Sequence, residues 1–107
     1  MRYAIVLAPS AVRELRALPA HLRARVRDEL ERHLHHAPTK VSKSRIKRLR
    51  GLSRPQFRLR IDDIRVFYDV TDTAVEVLAI ISKAQASEWL GEHGEEPTGR
   101  APGKGEG

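Results

Sequence analysis

Three arginines and two aspartates fall within eight residues of the segment FRLRIDDIRVFYDV, residues 57–70: Arg58, Arg60, Asp62, Asp63 and Arg65. Arginines so spaced suit phosphate chemistry, because a guanidinium binds phosphate oxygens bidentately and keeps its charge. Two alternating runs flank Asp62-Asp63, a two-residue turn candidate that lacks the usual glycine. Counting back from that loop, Ile61 faces Ile64, Arg60 faces Arg65, Leu59 faces Val66, Arg58 faces Phe67 and Phe57 faces Tyr68. Side chains alternate across a strand, so Phe57, Leu59, Ile61, Ile64, Val66 and Tyr68 make a core face. Arg58, Arg60, Arg65 and Phe67 make the other. Arg60 and Arg65 are then like charges directly opposed, which destabilises a sheet unless a polyanion lies across them. The plainer reading is a solvated outer face.

Phosphodiester cleavage needs a base, an acid and positive charge around the crowded phosphorus. Arginine supplies the charge and is a poor base. Lys83, directly after the last apolar run, is the remaining cation placed for such a site. Phe67 either stacks a nucleobase among the cations or packs under the connector that precedes the hairpin. That connector, KVSKSRIKRLRG, carries six Lys or Arg in residues 40–50. Lys43, Arg45, Lys47, Arg48 and Arg50 are spaced to follow a phosphate backbone, although a charge run also reads as a solvated segment. His33, His35 and His36 suggest a metal, but at a helix C-terminus histidines complement the macrodipole. With no cysteine and no evident carboxylate to complete a site, no metal and no cofactor are expected.

The elements that must position these residues follow from periodicity. RYAIVLA, residues 2–8, reads as a strand ending at Pro9. Ser10 caps a short helix with Val12, Leu15 and Leu18 at helical spacing, and Pro19 stops it. A second helix runs from Ala20 to about His36, with Leu22, Val26, Leu30 and Leu34 on one stripe. After the hairpin, AVEVLAIIS (74–82) is a buried strand, and AQASEWLGEH a short helix closed by Gly94. The expected class is α+β: a small twisted antiparallel β-sheet, an N-terminal helical hairpin packed on one face, and a short C-terminal helix. One domain spans 1–93. The Gly/Pro/Glu-rich residues 94–107 read as a disordered tail.

The chain has 107 residues, a net charge of +6 and no cysteine. Residues 1–93 hold 18 basic and 11 acidic groups, which points to a phosphate-rich or acidic partner. The absence of cysteine suits a reducing cytoplasm. No run approaches the ~20 apolar residues of a membrane span, so no membrane association is expected.

In this order and spacing, IKRLRG, FRLRIDDIRVFYDV and VEVLAIISK resemble the RelE/ParE superfamily of toxins from bacterial type II toxin–antitoxin modules, over roughly residues 2–91. The resemblance implies the same α+β fold. It also implies, for RelE-type members, metal-independent cleavage of mRNA in the ribosomal A site by a ribose 2′-hydroxyl, which inhibits translation. By position, Arg58 and Arg60 take the basic places of the first hairpin strand, Arg65 that of the return strand, and Lys83 that after the last strand. A cognate antitoxin, acidic and partly disordered, is the implied partner, with mRNA on the ribosome as target. ParE-type relatives instead poison DNA gyrase, and a catalytically inactive, antitoxin-binding regulator is a third alternative. Many RelE-type nucleases carry a tyrosine near the terminal helix. This sequence has Trp89 and Leu90 there, which leaves an acid–base role unfilled.

Overall fold

Asp62 adopts φ 52°, a left-handed conformation that aspartate tolerates in turns, and this lets the chain reverse in two residues without glycine. Arg25 holds its carboxylate at 2.7 Å. The computed structural model, which describes residues 2–97, places this turn between two strands of a mixed sheet. In chain order the elements are β1 (Ala4–Leu7), α1 (Pro9–Ala17), α2 (Ala20–Leu34), β2 (Ile46–Arg48), β3 (Phe57–Ile61), β4 (Ile64–Val70), β5 (Ala74–Ser82) and α3 (Lys83–His93). The fold is α+β. Among the described residues no helix is long and apolar enough to cross a membrane.

The sheet order is β1-β5-β4-β3-β2. The β3–β4 register is the one that counting gives, from Ile61 opposite Ile64 to Phe57 opposite Tyr68. Two features depart from the sequence reading. The basic connector contributes a short edge strand, β2, antiparallel to β3. The first strand joins the sheet parallel to β5, so the sheet is antiparallel except at this edge. A parallel partner is reached only by a long crossover, here most of the chain, and local periodicity carries no mark of it.

The helical hairpin α1–α2 covers one face. Ala11, Leu15, Val26, Leu30 and Leu34 meet Phe57, Leu59, Ile61, Ile64, Val66 and Tyr68 in one buried cluster. Tyr68 is fully buried, and its hydroxyl donates to Pro38 O at 2.6 Å, fastening the segment after α2 to the sheet. Burial pushes this hydroxyl's pKa up.

The register of β4 on β5 shifts between Phe67 and Tyr68, so Leu78 is an extra residue in β5. A bulge reverses the alternation. Val75, Val77 and Ile80 therefore share the helical-hairpin core, while Ala79 and Ile81 face the other way. Past the end of β1, α1 side chains take the free edge of β5. Ser10 Oγ donates to Leu78 O at 3.2 Å, and Glu14 accepts the Ile80 N–H at 2.8 Å. Ser10 is thus not the helix cap expected; α1 starts at Pro9, with Ala8 before it.

Ser82 and Gln85 form a capping box at the start of α3, and Gly94 ends it. A Cβ at Gly94 would lie 2.6 Å from Leu90 O and 3.2 Å from the Leu52 side chain, so only glycine fits there unshifted. Beyond it, the Glu95 N–H donates to Arg54 O at 2.7 Å and Glu95 O accepts the Ser53 N–H at 2.8 Å. Most of the tail, residues 98–107, lies outside the described residues.

Candidate nucleic-acid interface

Alternation along β2, β3 and β4 sends one set of side chains away from the helical hairpin. Lys47 pairs with Arg58, Arg58 with Phe67, and Phe67 with Ala79, forming one row across four strands. The next row runs Arg60, Arg65, Ile81. Lys47, Arg58, Arg60 and Arg65 thus gather on one face as two like-charge cross-strand pairs. Among the described residues none of the four makes an ion pair with a carboxylate.

This face is not uniformly open. Phe67 is 1% exposed and stacks on Trp89 of α3 at 5.1 Å with 5° between the rings. Ala79, Ile81, Leu49, Ala86 and Leu90 complete a second apolar cluster around it. Phe67 therefore offers no ring to a nucleobase. Of its two readings the packing one holds, with Leu49 of the connector and Trp89 as the cover.

Arg65 is also buried, at 7% exposure. Its Nη1 donates to Asp62 O at 2.8 Å and to Ile64 O at 3.1 Å. The expectation of three arginines on one exposed face is corrected in this respect: Arg65 lies on the face but is spent on the turn. Arg60 is exposed and Arg58 half-buried. Arg58 Nε is shielded from solvent with no hydrogen-bond acceptor among the described residues. Desolvation lowers the Arg58 pKa, and the neighbouring charges of Arg65 and Arg60 lower it further. A buried donor without an acceptor in a cationic neighbourhood is costly to the free protein and well disposed towards an anion.

The connector cations divide. Lys43, Arg45, Lys47, Arg48 and Arg50 are all exposed. Strand register puts Lys47 beside Arg58. Arg48 points the other way, over the Phe57 ring at 5.1 Å, and Arg45 leans to Glu29 at 4.0 Å. Lys83, exposed, opens α3 beside the hairpin turn, where its backbone N–H donates to Asp63 O at 2.6 Å. Chemically the face can bind and stabilise a phosphate. No carboxylate, histidine or tyrosine shares the Lys47–Arg58–Phe67 row or the Arg60–Arg65 row to move a proton.

Of the three histidines His33, His35 and His36, the first two have structural partners. His33 Nε2 lies 3.1 Å from the Glu29 carboxylate, and His35 Nδ1 donates to Tyr3 O at 2.9 Å. His36 is exposed beyond the end of α2. The Arg54–Asp69 pair, at 2.7 Å, went unseen in the sequence, because nothing local ties residues fifteen apart.

A five-stranded sheet with this order, a helical hairpin on one face and a cationic hairpin on the other defines the RelE/ParE class of small toxins. The family model of the ParE toxin of type II toxin–antitoxin systems (parDE) matches residues 5–87, and the chain belongs to that family. Among solved structures, the chain is similar to the RelBE2 toxin–antitoxin complex of Mycobacterium tuberculosis. The identity is 27%, over 77% of this chain and 99% of that one, with a TM-score of 0.60. It is likewise similar to the RelE–RelB complex of Pyrococcus horikoshii, at 26% identity, 79% and 99% coverage and a TM-score of 0.60. The free-state structure of Escherichia coli RelE with two arginines replaced by alanine shares the fold at 22% identity, 86% and 94% coverage and a TM-score of 0.53. A comparison with curated proteins found no match.

Proposed function

We propose that this type II toxin is a ribosome-associated mRNA endoribonuclease, acting in the cytoplasm without metal or cofactor, and that it inhibits translation until a cognate antitoxin covers it. The observation that carries the reading is Arg58, its Nε buried and unpartnered between Lys47, Arg60 and Arg65. In the reaction a ribose 2′-hydroxyl gives its proton to water and attacks the adjacent phosphorus, and the 5′-oxygen leaves with a proton taken from water, giving a 2′,3′-cyclic phosphate and a 5′-hydroxyl. Negative charge grows on the non-bridging oxygens as the fifth bond forms. Arg58 and Arg60 stabilise that charge, Lys47 and Lys83 hold neighbouring phosphates, and Arg65 keeps the turn in place. A strand already fixed on the ribosome supplies the alignment that a face without a proton acceptor must borrow.

The similar structures from M. tuberculosis and P. horikoshii are toxin–antitoxin complexes, which supports a cognate antitoxin here. An acidic, partly disordered segment would fold on contact with the cationic face. A second reading, inhibition of DNA gyrase, is favoured by the ParE description of the matching family and by the missing proton-transfer group. Primer extension on translated mRNA beside a gyrase supercoiling assay separates the two.

A further inference from the structure

On the β5 side of α3, a cavity of about 340 Å³ is lined by Ser10, Glu14, Arg54, Trp89, His93 and Glu95 among others. Four of its polar side chains are already hydrogen-bonded, Glu14 and Arg54 to groups outside the cavity lining. Ser10 Oγ donates to Leu78 O, Glu14 Oε1 accepts the Ile80 N–H, and Arg54 Nε donates to Asp69 at 2.7 Å. His93 Nδ1 lies 3.2 Å from Trp89 O. A carbonyl only accepts, so Nδ1 carries the hydrogen in this contact. The groups are oriented before any ligand arrives.

One wall is a stack of three rings. Trp89 stacks with Phe67, at 5.1 Å, and with His93, at 4.9 Å, and His93 is the exposed member of the three. A flat ligand would extend the stack there. To suit the polar groups it must present adjacent N–H donors to a carboxylate on one edge and acceptors to a guanidinium on another. Guanine does so, with its imino and amino N–H groups together and O6 and N7 beyond. Adenine and cytosine lack the paired donors, and uracil sets its single N–H between two carbonyls.

We propose that this pocket takes a guanine base, stacked on His93, with Glu14 accepting its donor edge and Arg54 facing its acceptors. The proposal deepens the nuclease reading and rests on it for its biological sense, since Trp89, which lines the pocket, packs on Phe67, the neighbour of Arg58 in its row of the sheet. A strand crossing the cationic face would leave a nearby base at this pocket.

Trp89 is the only tryptophan, so its emission reports on the stack directly. The full chain is titrated with GMP, AMP, CMP and UMP. GMP is expected to change the emission saturably, at concentrations about tenfold below those the other three need. Glu14→Gln keeps an acceptor for the Ile80 N–H but offers the base a donor, so it should lose the preference with unchanged melting. His93→Ala, at an exposed position, should weaken GMP binding without affecting the fold. No saturable response to GMP, equal responses to all four, or GMP binding undiminished in both variants overturns the pocket. An oligouridine with one guanine that binds more tightly than GMP makes an RNA guanine the ligand, and equal affinity makes it the free nucleotide. Messenger RNA cleavage by a protein blind to GMP sinks the guanine pocket alone. Saturable GMP binding by a protein that cuts no mRNA sustains the pocket and sinks the nuclease reading.

Discussion

Arg60 and Arg65 stand directly opposite each other across the hairpin, yet only one of them is available to a ligand. Arg65 donates to two backbone carbonyls of the turn and is buried, whereas Arg60 is exposed. The repulsion that the sequence suggested a polyanion must relieve is met in part by those carbonyls.

The two substitutions should therefore behave differently, although the opposition of like charges alone predicts the same slight stabilisation from both. Arg65→Ala should cost about 2 kcal/mol by urea denaturation, because it abandons two charge-assisted hydrogen bonds. Arg60→Ala should stay within about 0.5 kcal/mol of the parent and relieve toxicity. Equal and negligible effects on stability would mean that Arg65 does not hold the turn.

Under the proposed reading, Arg58 trades stability for function. Arg58→Met removes an unpartnered, half-buried guanidinium, so the melting temperature should rise. In a cleavage assay the same variant should lose about 100- to 1,000-fold in rate, the usual cost of removing one transition-state donor. A variant less stable than the parent would indicate that Arg58 has a structural partner.

Tyr68 sets an alkaline limit. Its hydroxyl is protonated in the folded state well above the ordinary tyrosine range, because burial penalises the phenolate. The unfolded chain loses that proton from about pH 10 upward, so it binds fewer protons than the native state. The contribution is present in full below about pH 10 and is lost as pH rises further. Tyr68→Phe should cost about 1–3 kcal/mol at neutral pH by leaving Pro38 O unpaired. It should also flatten the alkaline fall in stability, which urea midpoints between neutral and alkaline pH measure.

Trp89 covers Phe67, and removing it uncovers the second cluster. Trp89→Ala should cost about 3 kcal/mol, the low end for such truncations because the indole is partly exposed. Trp89→Phe should recover most of that. If Trp89→Ala melts like the parent, α3 does not seal the face.

The hairpin register, the helical stripe of Val26, Leu30 and Leu34, and the extent of β5 were all legible because each follows from alternation or helical period within one segment. The cover over Phe67 was not. It depends on Trp89, twenty-two positions further along, in a helix with no fully buried residue and so little amphipathic signal. Nor was the burial of Arg65, since a guanidinium that turns back to Asp62 O looks in sequence like one that points outward. The bulge at Leu78 was hidden by the apolar run AVEVLAIIS, in which either parity fills a core. Cation positions were legible; which of them remain free was settled by backbone carbonyls and one stacked ring.

The most direct measurement is primer extension on an mRNA translated in the presence of the toxin, with Arg58→Ala and a gyrase supercoiling assay run in parallel. Discrete cleavage sites that appear only during translation and vanish with Arg58→Ala, with supercoiling unaffected, are the predicted result. Intact mRNA together with inhibited supercoiling would contradict the nuclease account and leave the cationic face as a docking surface for gyrase.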